Sequence, residues 1–292
     1  MLPDASTLAT AAGLALALIA VGRRCGRLDT PDVSHCNDQI AKLLPSLSTL
    51  RKGYRPPLLF PSGLLQSGLA EALPPPPDDT PYIRETIELP ALEATTKSSC
   101  CPDIVPPGVV SIDWLTQDDP TAPICLLVPG LTGSSSSQYI RRAAAALHRA
   151  GLRVGAYNPR GRGGNALLTP FFYSAGYTED LRRVIKRTRL AYPGARLSAA
   201  GYSLGASYLG KYLGEEGAAS ELSGAVLFAC PTDLVTSVIK GLGGSAGARV
   251  RGRGRRTRAM LPNAPPTLAA VAPRRSCPPL LLLTGCSHLS DA

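Results

Sequence analysis

Leu197-Ser198-Ala199-Ala200-Gly201-Tyr202-Ser203-Leu204-Gly205-Ala206-Ser207-Tyr208-Leu209 is the stretch on which the reading of this chain turns. Residues 197–200 are a short, mostly apolar run, read as a buried strand, and residues 203–213 are read as a helix. Between them stands Gly201-x-Ser203-x-Gly205. Two glycines let the backbone reverse sharply from strand into helix, and that reversal projects a serine oxygen beyond the end of the sheet. Ser203 is therefore the candidate nucleophile. The alternative is a plain glycine turn, since G-x-S-x-G without a strand before it and a helix after it is weak evidence.

Outward from this turn the chain alternates. Ile124–Val128, bounded by Pro123 and Pro129, is too short for a helix and reads as a buried strand. Residues 138–150 read as a helix stopped by Gly151, 152–157 as a strand, 178–192 as an amphipathic helix, and 224–230 as a strand. Such alternation predicts an α/β fold with a mostly parallel sheet and helices on both faces. Upstream, Ile83–Leu89 alternates apolar and polar residues, and 109–114 is a second strand candidate. Together they predict an antiparallel edge, with residues 95–107 as an inserted loop. An ester-cleaving serine also needs donors for a developing oxyanion. The N–H of Leu204 opens the helix, and the Leu131 N–H lies in Pro129-Gly130-Leu131-Thr132-Gly133 after the strand 124–128.

Several pieces carry a family resemblance: residues 127–134, Tyr157-Asn158-Pro159-Arg160-Gly161, Tyr177-Thr178-Glu179-Asp180-Leu181 and the serine turn. They resemble the YheT-like branch of the α/β-hydrolases, which includes membrane-anchored lipases of animals and the plant embryogenesis-associated proteins. Weaker similarity extends to Ser111-Ile112-Asp113-Trp114 and to residues 63–67, and the whole covers roughly residues 50–240. The resemblance implies an α/β-hydrolase fold and a serine carboxylesterase or acylglycerol lipase that needs no cofactor and acts on a lipid or small acyl ester. In that family the chain continues with a lid, an acid-bearing strand and a histidine-bearing strand. Here residues 241–275 are Gly-, Ala- and Arg-rich, and four residues follow His288, which predicts a C-terminally incomplete form.

The serine needs a base, and the chain has three histidines. His35 follows the N-terminal apolar segment and His148 lies beside Arg149 on a charged helix face, so His288, after the apolar run 280–283, is the candidate base. The orienting acid is sought between Ser203 and His288. Glu215, Glu216 and Glu221 flank a helix end and are expected to face solvent, which leaves Asp233, equally readable as a helix N-cap. A hydrolase-fold protein without a working triad, serving as a membrane-bound binding protein, is the competing expectation.

Residues 5–22 carry no charge, and Arg23, Arg24 and Arg27 follow. Eighteen such residues suffice to span a bilayer, and the basic cluster behind them places the hydrolase body on the cytoplasmic side. A single-pass anchor over residues 1–27 is expected; a cleaved signal peptide would carry its positive charge before the apolar run. Residues 28–82 read as a connector packing on a core of residues 83–240, 241–275 as a low-complexity segment, and 276–292 as a remnant of the last strand. The formal net charge is +10, but eight of those charges are arginines within residues 249–275, leaving the rest near +2. Nucleic acid is therefore not an expected partner, although an RNA- or anionic-lipid-binding role for the arginine cluster is a minor alternative. Eight cysteines without framework or zinc-site spacing predict reduced thiols and no metal.

Overall fold

The computed structural model describes residues 81–93, 103–231 and 280–283, together with a few positions between 42 and 52. One compact unit spans Pro76–Thr284. A second gathers Met1–Pro75 and Gly285–Ala292, and its described part includes one short 3₁₀ turn, Leu44–Ser46. The N-terminal anchor, Asp233, the arginine-rich segment and His288 lie outside the described residues. No helix among the described residues is long and apolar enough to cross a membrane.

Among the described residues the larger unit is built on a seven-stranded sheet. In chain order its strands are β1 (Ile83–Leu89), β4 (Gly108–Leu115), β5 (Ile124–Val128), β6 (Arg153–Asn158), β7 (Leu197–Tyr202), β8 (Gly224–Phe228) and β9 (Leu280–Leu283). The spatial order is β1-β4-β6-β5-β7-β8-β9. β1 pairs antiparallel with β4 and β4 antiparallel with β6, whereas every pair from β6 to β9 is parallel. Among the described residues three helices connect parallel strands: α1 (Gln138–Arg149), α2 (Glu179–Ala191) and α3 (Leu204–Glu216). This is the α/β-hydrolase arrangement, with an antiparallel edge leading into a mostly parallel sheet.

Side-chain alternation along the central strand explains why both faces are covered. In β5, Ile124, Leu126 and Val128 join the core that receives Leu181, Val184 and Ile185 of α2 and Leu209 and Tyr212 of α3. Cys125 and Leu127 point the other way, to Ile140 and Ala144 of α1. A strand buried on both faces must be apolar at every position, and all five residues of β5 are buried. Each such aliphatic side chain contributes about 1.5–3 kcal/mol of transfer free energy relative to exposure.

Two sequence expectations need amendment. The segment read as an inserted loop, residues 95–107, contains β3 (Ile104–Val105), which pairs antiparallel with β2 (Leu92–Glu93) just ahead of it, strands of two residues that leave no periodic trace. Glu215, expected to face solvent, is largely covered, because its carboxylate binds Arg182 and Lys211 and accepts a hydrogen bond from Thr178. Glu216 also pairs with Arg182. One arginine thereby ties the end of α3 to the start of α2.

Candidate active site

Parallel strands end on the same side, so the loops after β5, β6, β7 and β8 meet at one edge of the sheet, where ligands of such folds bind. Among the described residues three non-glycine residues have positive φ: Thr132 at 63°, Ser203 at 51° and Ala229 at 48°. They follow β5, β7 and β8 respectively. Strained backbone gathered at one edge points to a functional site.

Ser203 stands at the joint between β7 and α3 with φ 51° and ψ −117°, and its side chain is exposed. Its N–H donates to the Phe228 carbonyl at 2.9 Å, which locks the turn against the end of β8. The flanking glycines are demanded by backbone contact. A Cβ at Gly201 would lie 2.7 Å from the Ala206 Cα, and one at Gly205 would collide with the carbonyl oxygens of Val128 and Pro129. The elbow and the loop after β5 therefore interlock. A left-handed L-residue stores roughly 1–3 kcal/mol, so Ser203→Gly is expected to be about 1 kcal/mol more stable than Ser203→Ala, the gain being trimmed by glycine's larger unfolded-state entropy. Denaturant melts of the two variants measure the difference.

The loop of residues 129–137 passes over the elbow. Gly130 lies against Ser203, with only 3.2 Å between the position of a Cβ at residue 130 and the Ser203 Cβ. The loop is held at several points. The Gly130 N–H donates to the Tyr139 hydroxyl at 2.9 Å, the Thr132 N–H to the Tyr173 hydroxyl at 2.9 Å, and the Ser135 N–H to the Asn158 side-chain oxygen at 2.8 Å. The N–H groups of Leu131 and Leu204 donate to no group among the described residues. Leu204 occupies the first turn of α3, where the helix end concentrates partial positive charge.

His148 is on the wrong side of the sheet for chemistry at Ser203. It lies in the last turn of α1, which has returned to the start of β6, and its Nε2 is 2.8 Å from the Thr116 carbonyl oxygen. A parallel strand of six residues separates that edge from the elbow by about 20 Å.

Two buried polar clusters beneath the site were not read as functional from sequence. Arg160 grips Asp180 with two prongs, Nε to Oδ2 at 2.6 Å and Nη2 to Oδ1 at 2.9 Å, and Tyr177 donates to Oδ1 at 2.6 Å. Arg160 also donates to the carbonyls of Pro106 and Pro107, and Gly108 has no Cβ because one would strike the guanidinium. Burial, then the Asp180 carboxylate, pushes the Tyr177 hydroxyl well up, so it stays protonated and donates. The second cluster joins Asp113, Asn158, Ser135 and Arg84. The signal for both was present in polar residues within or just after apolar strands, in Ser111-Ile112-Asp113-Trp114 and Tyr157-Asn158-Pro159-Arg160. Their partners lie too far along the chain for spacing to reveal.

No family model matches the chain. It is 34% identical over 149 residues to the embryogenesis-associated protein EMB8 of Picea glauca, an alignment covering 47% of this chain and 33% of that protein. It is 39% identical over 128 residues to phospholipase ABHD3 of Mus musculus, covering 41% of this chain and 31% of the relative. A putative hydrolase from Agrobacterium vitis S4 superposes with a TM-score of 0.42 at 15% identity, covering 62% of this chain and 61% of that one. The chain is a member of the α/β-hydrolase superfamily. Its relatives there are of the EMB8 kind, and it spans about a third of the length of the two curated proteins just named.

Proposed function

We propose that this protein is a serine carboxylic-ester hydrolase acting on lipid-like acyl esters, a carboxylesterase or acylglycerol lipase. The observation that carries the reading is the strained, exposed Ser203 at the carboxyl edge of the sheet, interlocked with the loop after β5. Relatives named as a phospholipase and a monoacylglycerol lipase support an ester substrate.

In this reading a base removes the Ser203 hydroxyl proton as Oγ attacks the ester carbonyl carbon. The carbonyl π pair moves onto oxygen, and the Leu131 and Leu204 N–H groups stabilise that charge, each such donor being worth roughly 10²–10³ in rate. Collapse of the tetrahedral intermediate breaks the carbon–oxygen bond, the alcohol leaves with the proton, and water then hydrolyses the acyl-enzyme by the same steps. His288 is the proposed base and Asp233 its orienting acid. Supporting these assignments, β8 ends at Phe228, five residues before Asp233, and β9 runs parallel to it and ends at Leu283, five residues before His288. The charge-free residues 5–22, with Arg23, Arg24 and Arg27 behind them, support an N-terminal single-pass anchor that keeps the hydrolase body on the cytoplasmic side.

The test is turnover of an ester panel by the full chain in detergent or vesicles: short p-nitrophenyl esters, a monoacylglycerol and a phosphatidylcholine. Saturable hydrolysis that His288→Ala abolishes is the expected result. Hydrolysis of none of these esters by a folded preparation would sink the reading.

A further inference from the structure

The loop carrying the Leu131 N–H must hold that donor to a fraction of an ångström if the donor is to meet an oxyanion, because a misplacement of about 1 Å costs on the order of 10²-fold in rate. Its own backbone–backbone hydrogen bonds are two tight turns, Gly133 N–H to the Gly130 carbonyl and Ser137 N–H to the Ser134 carbonyl, and the hydroxyls of Ser134, Ser136 and Ser137 add bonds only among residues 134–137. Thr132, at φ 63°, is strained and needs outside support. The Tyr139 hydroxyl that binds Gly130 belongs to the helix the loop enters, and the Tyr173 hydroxyl that binds Thr132 belongs to another loop. At Ser135 the loop is tied to the sheet itself.

Ser135 donates its hydroxyl to Asp113 Oδ2 at 2.5 Å and its N–H to Asn158 Oδ1 at 2.8 Å. Asp113 is in the middle of β4 and Asn158 is the last residue of β6, adjacent strands of the rigid sheet. Both side-chain donors of Asn158 and both donors of Ser135 are used in this junction. Asn158 Nδ2 donates to Asp113 Oδ2 at 3.0 Å and to the Ser111 hydroxyl at 3.2 Å, which turns its oxygen toward Ser135. Arg84 grips Asp113 with two bonds of 2.7 Å and reaches on to the Gly163 carbonyl. Asn158 is fully buried, Asp113 is 3% exposed and Ser135 4%. Burial pushes the Asp113 carboxyl up, but hydrogen bonds from Arg84, Ser135 and Asn158 together outweigh it and hold the group below the usual carboxylate range, so it remains a charged acceptor. Hydrogen bonds to a charged, water-excluded acceptor are about twice as strong as neutral ones.

We propose that Asp113, Asn158 and Ser135 are positioning residues of the esterase site, fastening the oxyanion loop to the sheet so that the Leu131 N–H stays aimed at the carbonyl oxygen over Ser203. This rests on the ester-hydrolase reading. A network that merely stabilised the fold would trade turnover only through the amount of folded protein. A positioning network acts on kcat and on the loop alone.

The experiment compares the full chain with Ser135→Ala, which removes one hydroxyl and retains the N–H bond, and with Asp113→Asn, which retains the shape and removes the charge. Turnover of a p-nitrophenyl ester is measured beside thermal melting and amide hydrogen exchange. Ser135→Ala is expected to lower kcat roughly 10–100-fold with KM changed less than about 2-fold, and to raise exchange of amides 130–135 about tenfold while β5 and β7 stay protected. Asp113→Asn, which still offers Ser135 an acceptor, is expected to fall between wild type and Ser135→Ala in kcat. Unchanged kcat in Ser135→Ala, or a loss matched by a lower folded fraction with loop exchange unaltered, would overturn the positioning role. If the wild type hydrolyses no ester, the ester-hydrolase reading fails first. The exchange arm then decides separately: an unaltered loop in Ser135→Ala means the cluster does not hold it.

Discussion

Ser203→Ala is expected to cut ester turnover by about 10⁴–10⁶-fold while leaving the melting curve in place. The argument has two halves. Removal of Oγ leaves nothing in the site able to form the acyl intermediate, and the oxyanion donors and binding contacts sustain only the residual rate. The fold should not respond, because the side-chain oxygen has no hydrogen-bond partner among the described residues and Ala retains the Cβ around which Gly130 and the elbow are packed. Residual turnover above about one per cent of wild type, measured on the purified variant, would mean that another group carries the attack.

Asp180→Ala is expected to be the most destabilising single change described here, by roughly 3–5 kcal/mol, because it strands the guanidinium of Arg160 in a site from which water is excluded. Arg160 is 1% exposed and Asp180 3%. The loss extends to Tyr177, whose hydroxyl keeps a proton it can no longer donate to Asp180. At about 2–4 °C per kcal/mol for a domain of this size, the melting temperature falls by roughly 10 °C. Removing both charges in Asp180→Ala with Arg160→Leu should cost less than Asp180→Ala alone, since the double variant contains no buried unpaired charge; beyond the Tyr177 bond lost in both variants, it adds the loss of a donor to the Pro106 and Pro107 carbonyls. A double variant less stable than the single would show that the carbonyl contacts, rather than the charge pair, dominate.

The central strand was legible because it is buried on both faces: Ile124-Cys125-Leu126-Leu127-Val128 leaves no other reading, and its bounds match the strand observed. The helices were legible through their apolar spacing, with ends shifted by one to three residues where capping competes with the next turn, as at the end of α3, which runs on to Glu216. Antiparallel pairing of Ile83–Leu89 with the strand containing Asp113 followed from alternation in β1, whose outward residues are exposed. The elbow was legible because collisions at Gly201 and Gly205 leave glycine as the fitting residue. The supports of the site were not. Asp113, Ser135, Asn158 and Arg84 come from four separated segments, and Arg160 meets Asp180 across twenty positions. Such clusters are created by strand order, which no local pattern encodes. The solvent-facing expectation for Glu215 failed for the same reason: its partner Arg182 sits on another helix.

The central claim is an activated serine at residue 203, and its most direct test is labelling of the full-length chain in membranes or detergent with a fluorophosphonate probe, followed by mass spectrometry of the adduct. Fluorophosphonates react with a serine only when a base and an oxyanion site activate it. Stoichiometric phosphonylation on Ser203, absent from Ser203→Ala and from His288→Ala, is the result expected. A folded protein that remains unlabelled, or an adduct at any residue other than Ser203, would contradict the claim.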